Sequence, residues 1–180
     1  NNPAPSMKTT LTNLNGDHMA AADGEITLVD EIEYNGLTPG ETYTVQGELH
    51  YAKTNDEGDQ VDGGAVTLPS GDAVVSLAEF SPKTAHGTTQ VEFTFDASSL
   101  AGKSVVAFER LFLSDLLIAE HVEADDVDQT VCFPTIATSL APEGTIAAPG
   151  TDESCTLVDT VEYNALIPGK TYILNASLHL

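Results

Sequence analysis

The stretch 29–49, VDEIEYNGLTPGETYTVQGEL, contains two segments in which apolar and polar residues alternate on either side of a turn. Side chains of a β-strand point alternately to its two faces, so each segment predicts a strand with one buried face. The pair Pro39-Gly40 supplies the turn between them. Similar signals divide most of the chain into short strands, which is typical of an all-β sandwich. The predicted strands are 7–13, 25–34, 42–52, 64–68, 73–80, 90–96, 104–113, 116–122 and 127–133, with a short helical turn over 97–102.

An internal repeat organises the chain. The segment YNGLTPGETY at 34–43 recurs as YNALIPGKTY at 163–172, an offset of 129 residues. Repetition at a fixed offset predicts copies of one structural module. The predicted organisation is a linker over 1–6, a complete domain over 7–132, and about three strands of a second, incomplete copy over 133–180.

The composition is strongly acidic and restricts the choice of partners. The chain has 28 acidic and 6 basic residues, for a net charge of −22. This balance argues against nucleic acid and against anionic membranes, which both need clustered Lys and Arg. No apolar run is long enough for a membrane-spanning helix, so no membrane insertion is expected in this segment. No cofactor or metal site is predicted, because His18, His50 and His86 lack metal-ligand spacing.

Five polar residues interrupt the apolar faces of the predicted strands. A buried polar group is costly unless it has a partner, so inward polar residues on separate strands predict one internal cluster. Its chemistry is that of acyl transfer, because a hydroxyl, an imidazole, two carboxylates and a carboxamide meet. Attack by the hydroxyl on the carboxamide gives an intramolecular ester and releases ammonia. The five residues are Thr9, Asp30, Glu109, His121 and Gln129.

Several motifs together resemble a known family. They are VAFE at 106–109, EH at 120–121 and DDVDQTV at 125–131, preceded by the stretch 29–49. They resemble the VaFE repeat of Gram-positive surface-anchored proteins and, within it, the Ig-like (CnaB-like) adhesin domains that carry a Thr–Gln ester crosslink. The resemblance implies an extracellular structural module, anchored to the cell wall by a segment outside this chain. Its candidate partners are neighbouring repeats of the same protein and host surface ligands.

The resemblance also implies a role for each residue of the cluster. Thr9 is the nucleophile and Gln129 is the acyl donor. His121, eight residues before Gln129, is the general base and then the acid that protonates the leaving amine. Asp30 and Glu109 share a proton, because two close carboxylates cannot both ionise cheaply, and they orient His121 or polarise the Gln129 carbonyl.

Two details qualify this assignment. Thr9 is chosen over Thr10 because it shares strand parity with the apolar residues on either side. The family's usual Asp-Thr-Val reads Asp-Glu-Ile here, and Glu31 is expected to face outward. At the offset of 129 residues, Thr138 and Asp159 are the second-copy equivalents of the nucleophile and the first carboxylate. The counterparts of the other three residues fall beyond position 180.

Other interpretations of the same residues stay open. A Lys–Asn isopeptide is possible in principle, but the strand parity of Lys8 points outward. A ligand-binding adhesin module could use the acidic loop 55–63, which is either a calcium site or, as favoured by its spacing, a solvated run of charge. A hydrolase would need an open cleft around Thr9. Taken singly, each polar residue is more simply a hydrogen-bonded structural side chain.

The chain has two cysteines, Cys132 and Cys155. An extracellular setting permits a disulfide between them, which would stiffen the joint between the two copies. The alternative is that Cys155 is a buried free thiol on the apolar face of its strand.

Overall fold

The computed structural model describes residues 3–143 and 156–179, which contain β-strands, two short 3₁₀ helices and no α-helix. No helix in this part of the chain has the length and apolar character needed to cross a membrane. The 3₁₀ helices are Ser98–Leu100 and Val127–Gln129. The strands are β1 Ser6–Asn13, β2 Glu25–Asn35, β3 Tyr43–Thr54, β4 Gln60–Ala65, β5 Val75–Phe80, β6 His86–Asp96, β7 Ser104–Leu113, β8 Leu116–His121, β9 Thr130–Cys132, β10 Thr135–Pro142 and β11 Leu157–Asn164.

Strands β1 to β9 form a β-sandwich. One sheet has the order β1-β2-β6, and the other is built around the antiparallel pair β3-β7. Strands β4 and β5 both pair with β3, whereas β8 and β9 both pair with β7. Apolar side chains from both sheets fill the space between them, as the alternating pattern predicts. Fully buried members include Leu11, Leu28, Ile32, Val45, Leu49, Phe93, Leu111 and Phe133.

Strand β2 shows how the sequence pattern produces the buried face. Leu28, Asp30 and Ile32 are buried, and Glu31 and Glu33 between and after them are exposed. The outward direction expected for Glu31 is therefore confirmed. Because the period of a strand is two residues, the carboxylate is carried inward with its apolar neighbours.

The prediction of a strand over 127–133 is wrong in its first half. Val127–Gln129 is a 3₁₀ helix, and Val127 is 73% exposed, so it shares no apolar stripe with Gln129. The Asp126 side chain accepts a hydrogen bond from the Asp128 backbone N–H at 2.9 Å. This local bond favours a turn over an extended strand. Only Thr130–Cys132 pairs with β7, as strand β9.

Of two other predicted elements, one has a different boundary and one is confirmed. The strand predicted over 64–68 begins earlier, because β4 spans Gln60–Ala65 and folds back on β3 after a tight loop. The helical turn predicted over 97–102 is confirmed as Ser98–Leu100.

The second copy begins as a hairpin with the register of the first. Thr138 lies opposite Val161 and Leu140 opposite Asp159 in the β10-β11 pair. These pairs lie 129 residues after the corresponding pairs of β1 and β2. The prediction of a third strand in the second copy is wrong for the described residues, because no strand forms over 165–179. Its counterpart β3 is held by β4, β5 and β7, and none of these has an equivalent within the second copy here.

Candidate functional site

Four polar side chains meet in the core of the sandwich. Thr9, Asp30, Glu109 and Gln129 each have 0% of their surface exposed. They come from β1, β2, β7 and the end of the 3₁₀ helix Val127–Gln129. The antiparallel register places Thr9 diagonally across from Asp30, two residue pairs away on the same face, because Thr9 lies opposite Ile32 and Leu11 lies opposite Asp30. The fold therefore brings together the hydroxyl, the carboxamide and the two carboxyls that the sequence singles out.

The cluster is poor in good hydrogen bonds. The Thr9 hydroxyl, both oxygens of Asp30 and of Glu109, and both polar atoms of the Gln129 carboxamide have no partner of acceptable geometry. Asp30 nevertheless lies close enough to Glu109, Gln129 and the Thr10 backbone N–H for these groups to influence its titration. The groups are thus in contact but not optimally bonded. Each unmet buried polar group costs about 1–3 kcal/mol, so this arrangement of the cluster is unfavourable.

Burial dominates the electrostatics of the two carboxyls. Removal from water, together with the neighbouring Asp30 charge, raises the pKa of Glu109 to about 10. Burial also raises the pKa of Asp30, to about 6, although the nearby Glu109 and Gln129 side chains oppose the shift. The pair therefore keeps one proton at neutral pH, held mainly by Glu109.

Gly47 makes room for the Glu109 carboxyl. The two residues lie directly opposite each other in the β3-β7 pair. A Cβ at position 47 would lie 2.5 Å from Glu109 Oε1 and 2.5 Å from Phe93 Cζ. The absent side chain lets the carboxyl lie over the backbone of β3. Sequence reasoning missed this residue, although a glycine inside a strand signals close approach of another group.

His121 stands at the margin of the cluster. It ends β8, lies opposite Glu109 in the β7-β8 pair, and has 13% of its side chain exposed. Its Nε2 lies 2.7 Å from Oδ2 of Asp126, a residue that the sequence analysis does not single out. The signal for Asp126 is weak, because it is one of four acidic residues between His121 and Gln129.

The same corner contains a donor set suitable for a divalent cation. Ligand atoms of His121, Glu123 and Asp126 lie within 4.8 Å of one another. One imidazole and two carboxylates match the ligands of zinc and similar ions. The His121–Asp126 hydrogen bond already accounts for the approach of these two side chains.

The remaining predicted positions lie outside the cluster. Lys8 is exposed, as its parity predicts, and Thr10 is half-buried on the other face of β1. In the acidic loop, Asn55 Oδ1 accepts hydrogen bonds from the backbone N–H groups of Glu57 and Asp59, and Asp62 pairs with His50 at 2.8 Å.

The two cysteines and the second-copy residues are the last of the predicted positions. Cys132 is buried, and Ser104 Oγ lies 3.3 Å from its sulfur. Cys155 lies outside the described residues, so the structure does not test the choice between a Cys132–Cys155 disulfide and a free thiol. Thr138 and Asp159 keep the register of their first-copy equivalents but are exposed.

The chain folds as a β-sandwich whose core holds a buried hydroxyl, a buried carboxamide and two buried carboxyl groups. The sequence profile of the T-Q ester bond containing domain family matches residues 5–133 and 134–179. The chain therefore belongs to the T-Q ester bond containing domain family. The family is defined by a crosslink within the domain itself, which identifies a structural module rather than an enzyme with an external substrate.

The fold also occurs in solved structures. In two crystal forms, a bacterial adhesin from Mobiluncus mulieris containing intramolecular disulfide, isopeptide and ester bond crosslinks is similar to this chain, with 13% and 12% identity. The TM-score is 0.57 in both comparisons, which cover 89% of this chain and 76% of the adhesin chain. At this identity the likeness shows the fold alone. A comparison with curated proteins finds no match.

Proposed function

We propose that this chain is a stalk module of a bacterial surface adhesin, and that an ester between Thr9 and Gln129 locks its first domain. The observation that carries the proposal is the complete burial of nucleophile, acyl donor and two carboxyls in one cluster. Family membership supports the ester. The fold shared with the Mobiluncus mulieris adhesin supports the extracellular, cell-surface setting.

The proposed reaction is a single acyl transfer within the chain. Thr9 Oγ1 attacks Cδ of Gln129 and forms the ester C–O bond, while the hydroxyl proton passes to His121. The Cδ–Nε2 bond of Gln129 then breaks, and His121 returns the proton to the leaving amine, which departs as ammonia. Protonated Glu109 donates a hydrogen bond to the carbonyl oxygen as its negative charge develops. The ionised Asp30 stabilises the transient imidazolium.

The unmet hydrogen bonds supply a thermodynamic reason for the reaction. Before the reaction, the Thr9 hydroxyl and the Gln129 amide place three N–H and O–H donors in the core without good acceptors. The ester contains none of these donors, and the released ammonia is hydrated in bulk water. The reaction therefore removes buried donors whose desolvation is unfavourable.

The position of the bond explains its mechanical value. Thr9 lies on the first strand of the domain, and Gln129 lies immediately before β9. A force applied to the ends of the domain passes through the ester and leaves the intervening strands unloaded. By analogy with disulfides, closing a loop between positions 9 and 129 stabilises the fold by about 5 kcal/mol through the unfolded state.

Intact mass measurement tests the proposal. Loss of ammonia lowers the mass of the chain by about 17 Da, and the crosslinked peptide contains both Thr9 and Gln129. An unchanged mass would overturn the ester. The same loss mapped to a lysine and an asparagine would support the isopeptide, against which the exposure of Lys8 argues. The full burial of Thr9 argues against a hydrolase.

A ligand-binding role is the second candidate. It is favoured by the acidic loop, where Asp56, Glu57 and Asp59 are exposed and Asn55 braces the backbone. The test is to compare the chain with a variant that carries Asp56→Asn, Glu57→Gln and Asp59→Asn for binding to host glycans and matrix proteins. Binding that is lost in the variant favours the binding module, whereas no binding by either chain favours the stalk.

A further inference from the structure

Two residues, Phe133 and Pro134, connect the end of β9 in the first domain to the start of β10 in the second copy. Phe133 is fully buried in the core of the first domain. Its N–H donates to the Lys103 carbonyl and its carbonyl accepts from the Gly102 N–H, each at 2.8 Å. The proline fixes its own φ and restricts the residue before it. The connection is therefore short and stiff.

The turn over 163–172 of the second copy, called here the joint turn, lies beside the loop 16–19 of the first domain. The Tyr172 hydroxyl donates a hydrogen bond to Met19 Sδ at 3.7 Å. The loop is itself fixed, because backbone hydrogen bonds of 2.9 and 3.0 Å join it and the residue after it to Cys132. Both segments line one cleft, and the lining residues include Asp17, His18, Met19, Ile167, Lys170 and Tyr172.

The joint turn keeps the conformation of its first-copy equivalent, residues 34–43. In each turn the tyrosine hydroxyl accepts a hydrogen bond of 2.9 Å from the backbone N–H five residues earlier. The two sequences nevertheless differ at three of ten positions, and all three second-copy residues line clefts against the first domain. The differences therefore lie where the turn meets its neighbour. They are Gly36 against Ala165, Thr38 against Ile167, and Glu41 against Lys170.

Ala165 adopts a backbone conformation that favours glycine. Its φ is 56°, in the left-handed region. In the first copy a Cβ at Gly36 would lie 2.7 Å from the Pro3 carbonyl oxygen, so only glycine fits there. The residue 129 positions after Pro3 is Cys132, which is buried in the first domain. The alanine methyl group is therefore admitted in the second copy, where Ala165 lines a cleft with Ser104.

The other two differences favour contact with the loop 16–19. Ile167 is half-buried, whereas its equivalent Thr38 is exposed, so an apolar side chain replaces a polar one beside Met19. Lys170 shares the cleft with Asp17, where the glutamate of the first copy would bring like charges together. In a chain of net charge −22, a basic residue at this position removes a repulsion between the two copies.

We infer that the joint turn is a docking surface that holds the second copy against the first domain in one orientation. Its partner is the end of the preceding module that carries the loop 16–19, and Ala165, Ile167 and Lys170 adapt the turn to this partner. The inference does not depend on the ester. The turn 34–43 lacks the apolar and basic residues, so it does not fit an end like that of the first domain. The joint thus specifies which module follows which.

The experiment exchanges the joint turn for the sequence of the first copy in the full chain. The variant carries Ala165→Gly, Ile167→Thr and Lys170→Glu, residues that the same turn conformation already accommodates at 36, 38 and 41. Lys83→Glu is the control, because it makes the same change of charge at an exposed position in the loop after β5. Met7 and Met19 are the two methionines of the chain, so methyl-labelled methionine gives one NMR signal at the joint and one away from it.

In the wild type and in Lys83→Glu, the Met19 methyl group should show a nuclear Overhauser effect to the Tyr172 ring. Backbone order parameters of the β10-β11 hairpin, taken relative to the tumbling of the first domain, should be about 0.85, the value for a rigid backbone. In the triple variant the Met19–Tyr172 effect should disappear and the hairpin order parameters should fall below about 0.6. The Met7 signal and the intact mass should not differ between the wild type and the triple variant.

Three outcomes would overturn the inference. The wild type shows no Met19–Tyr172 effect, or the triple variant keeps both the effect and the high order parameters, or Lys83→Glu loses them. Cross-strand effects between Thr138 and Val161 report whether the hairpin is still formed. If the triple variant loses the hairpin, Lys170→Glu alone must weaken the Met19–Tyr172 effect, and an unchanged effect would also refute the docking surface. Because intact mass reports the ester separately, failure of the ester would leave these outcomes readable.

Discussion

Replacing Thr9 with valine tests the crosslink with little change in packing. Valine has nearly the shape of threonine and lacks the hydroxyl, which has no hydrogen-bond partner in the core. The variant is expected to keep its full sequence mass and its fold. Its free energy of unfolding falls by about 5 kcal/mol, the value for opening a loop between positions 9 and 129. For a domain of this size, that corresponds to a decrease in Tm on the order of 15–25 °C.

The matched control is Thr10→Val on the opposite face of β1, where the residue is half-buried. It should crosslink and melt as the wild type does. Urea denaturation and calorimetry measure the two stabilities, and intact mass reports the bond. The reasoning is refuted if Thr10→Val loses the bond and Thr9→Val keeps it. It is also refuted if Thr9→Val lacks the bond but matches the wild type in stability.

Three further predictions concern the carboxyls and the second copy. Glu109→Gln and Asp30→Asn should each slow the loss of ammonia on refolding at least 10-fold, because proton transfer and positioning are impaired. If either variant loses ammonia at the wild-type rate, the role given to the residue replaced in it is excluded. In the uncrosslinked Thr9→Val chain, stability should fall as the pH rises above about 4.5, because folded Glu109, with its pKa raised to about 10, keeps a proton that the unfolded chain releases. The decline due to Glu109 is at most about 1.4 kcal/mol per pH unit, the value for one proton. Asp30, with its pKa raised to about 6, adds to the decline below that pH. Urea titrations should show a smaller slope when Glu109→Gln is added, and equal slopes would contradict the shift. A separate fragment of residues 55–133 contains the strands that follow β3 in the first domain. It should dock on the β10-β11 hairpin and form an ester with Thr138. Gel electrophoresis after boiling in detergent detects the product, which must be absent when Thr138 is replaced by valine.

Local pattern was sufficient for much of the fold. The alternation along 29–49 predicted two strands with one buried face, and it placed Asp30 inward and Glu31 outward. It succeeded because the direction of a side chain in a strand depends only on parity. The repeat offset likewise predicted a second hairpin in the register of the first, and the structure confirms it.

The parity rule failed where a side-chain hydrogen bond competed with the backbone hydrogen bonds of a β-strand pair. Val127 and Gln129 were expected on one face of a strand, but the Asp126 side chain favours a 3₁₀ turn. Gln129 is buried as expected, although for a different reason: the turn directs it inward. Parity carries no information about such a local hydrogen bond.

By itself, the sequence determined the all-β architecture, the repeat, and which hydroxyl and carboxyls face the core, because these depend on residue type and on a period of two. Only the tertiary structure decided which of these groups meet. The pairing of Gly47 with Glu109, the contact of Asp126 with His121 and the hydrogen bond from Gln60 Nε2 to Thr130 Oγ1 all join residues of different strands and loops. Such contacts depend on sheet order and register, which are set by the packing of the whole core and not by any single segment.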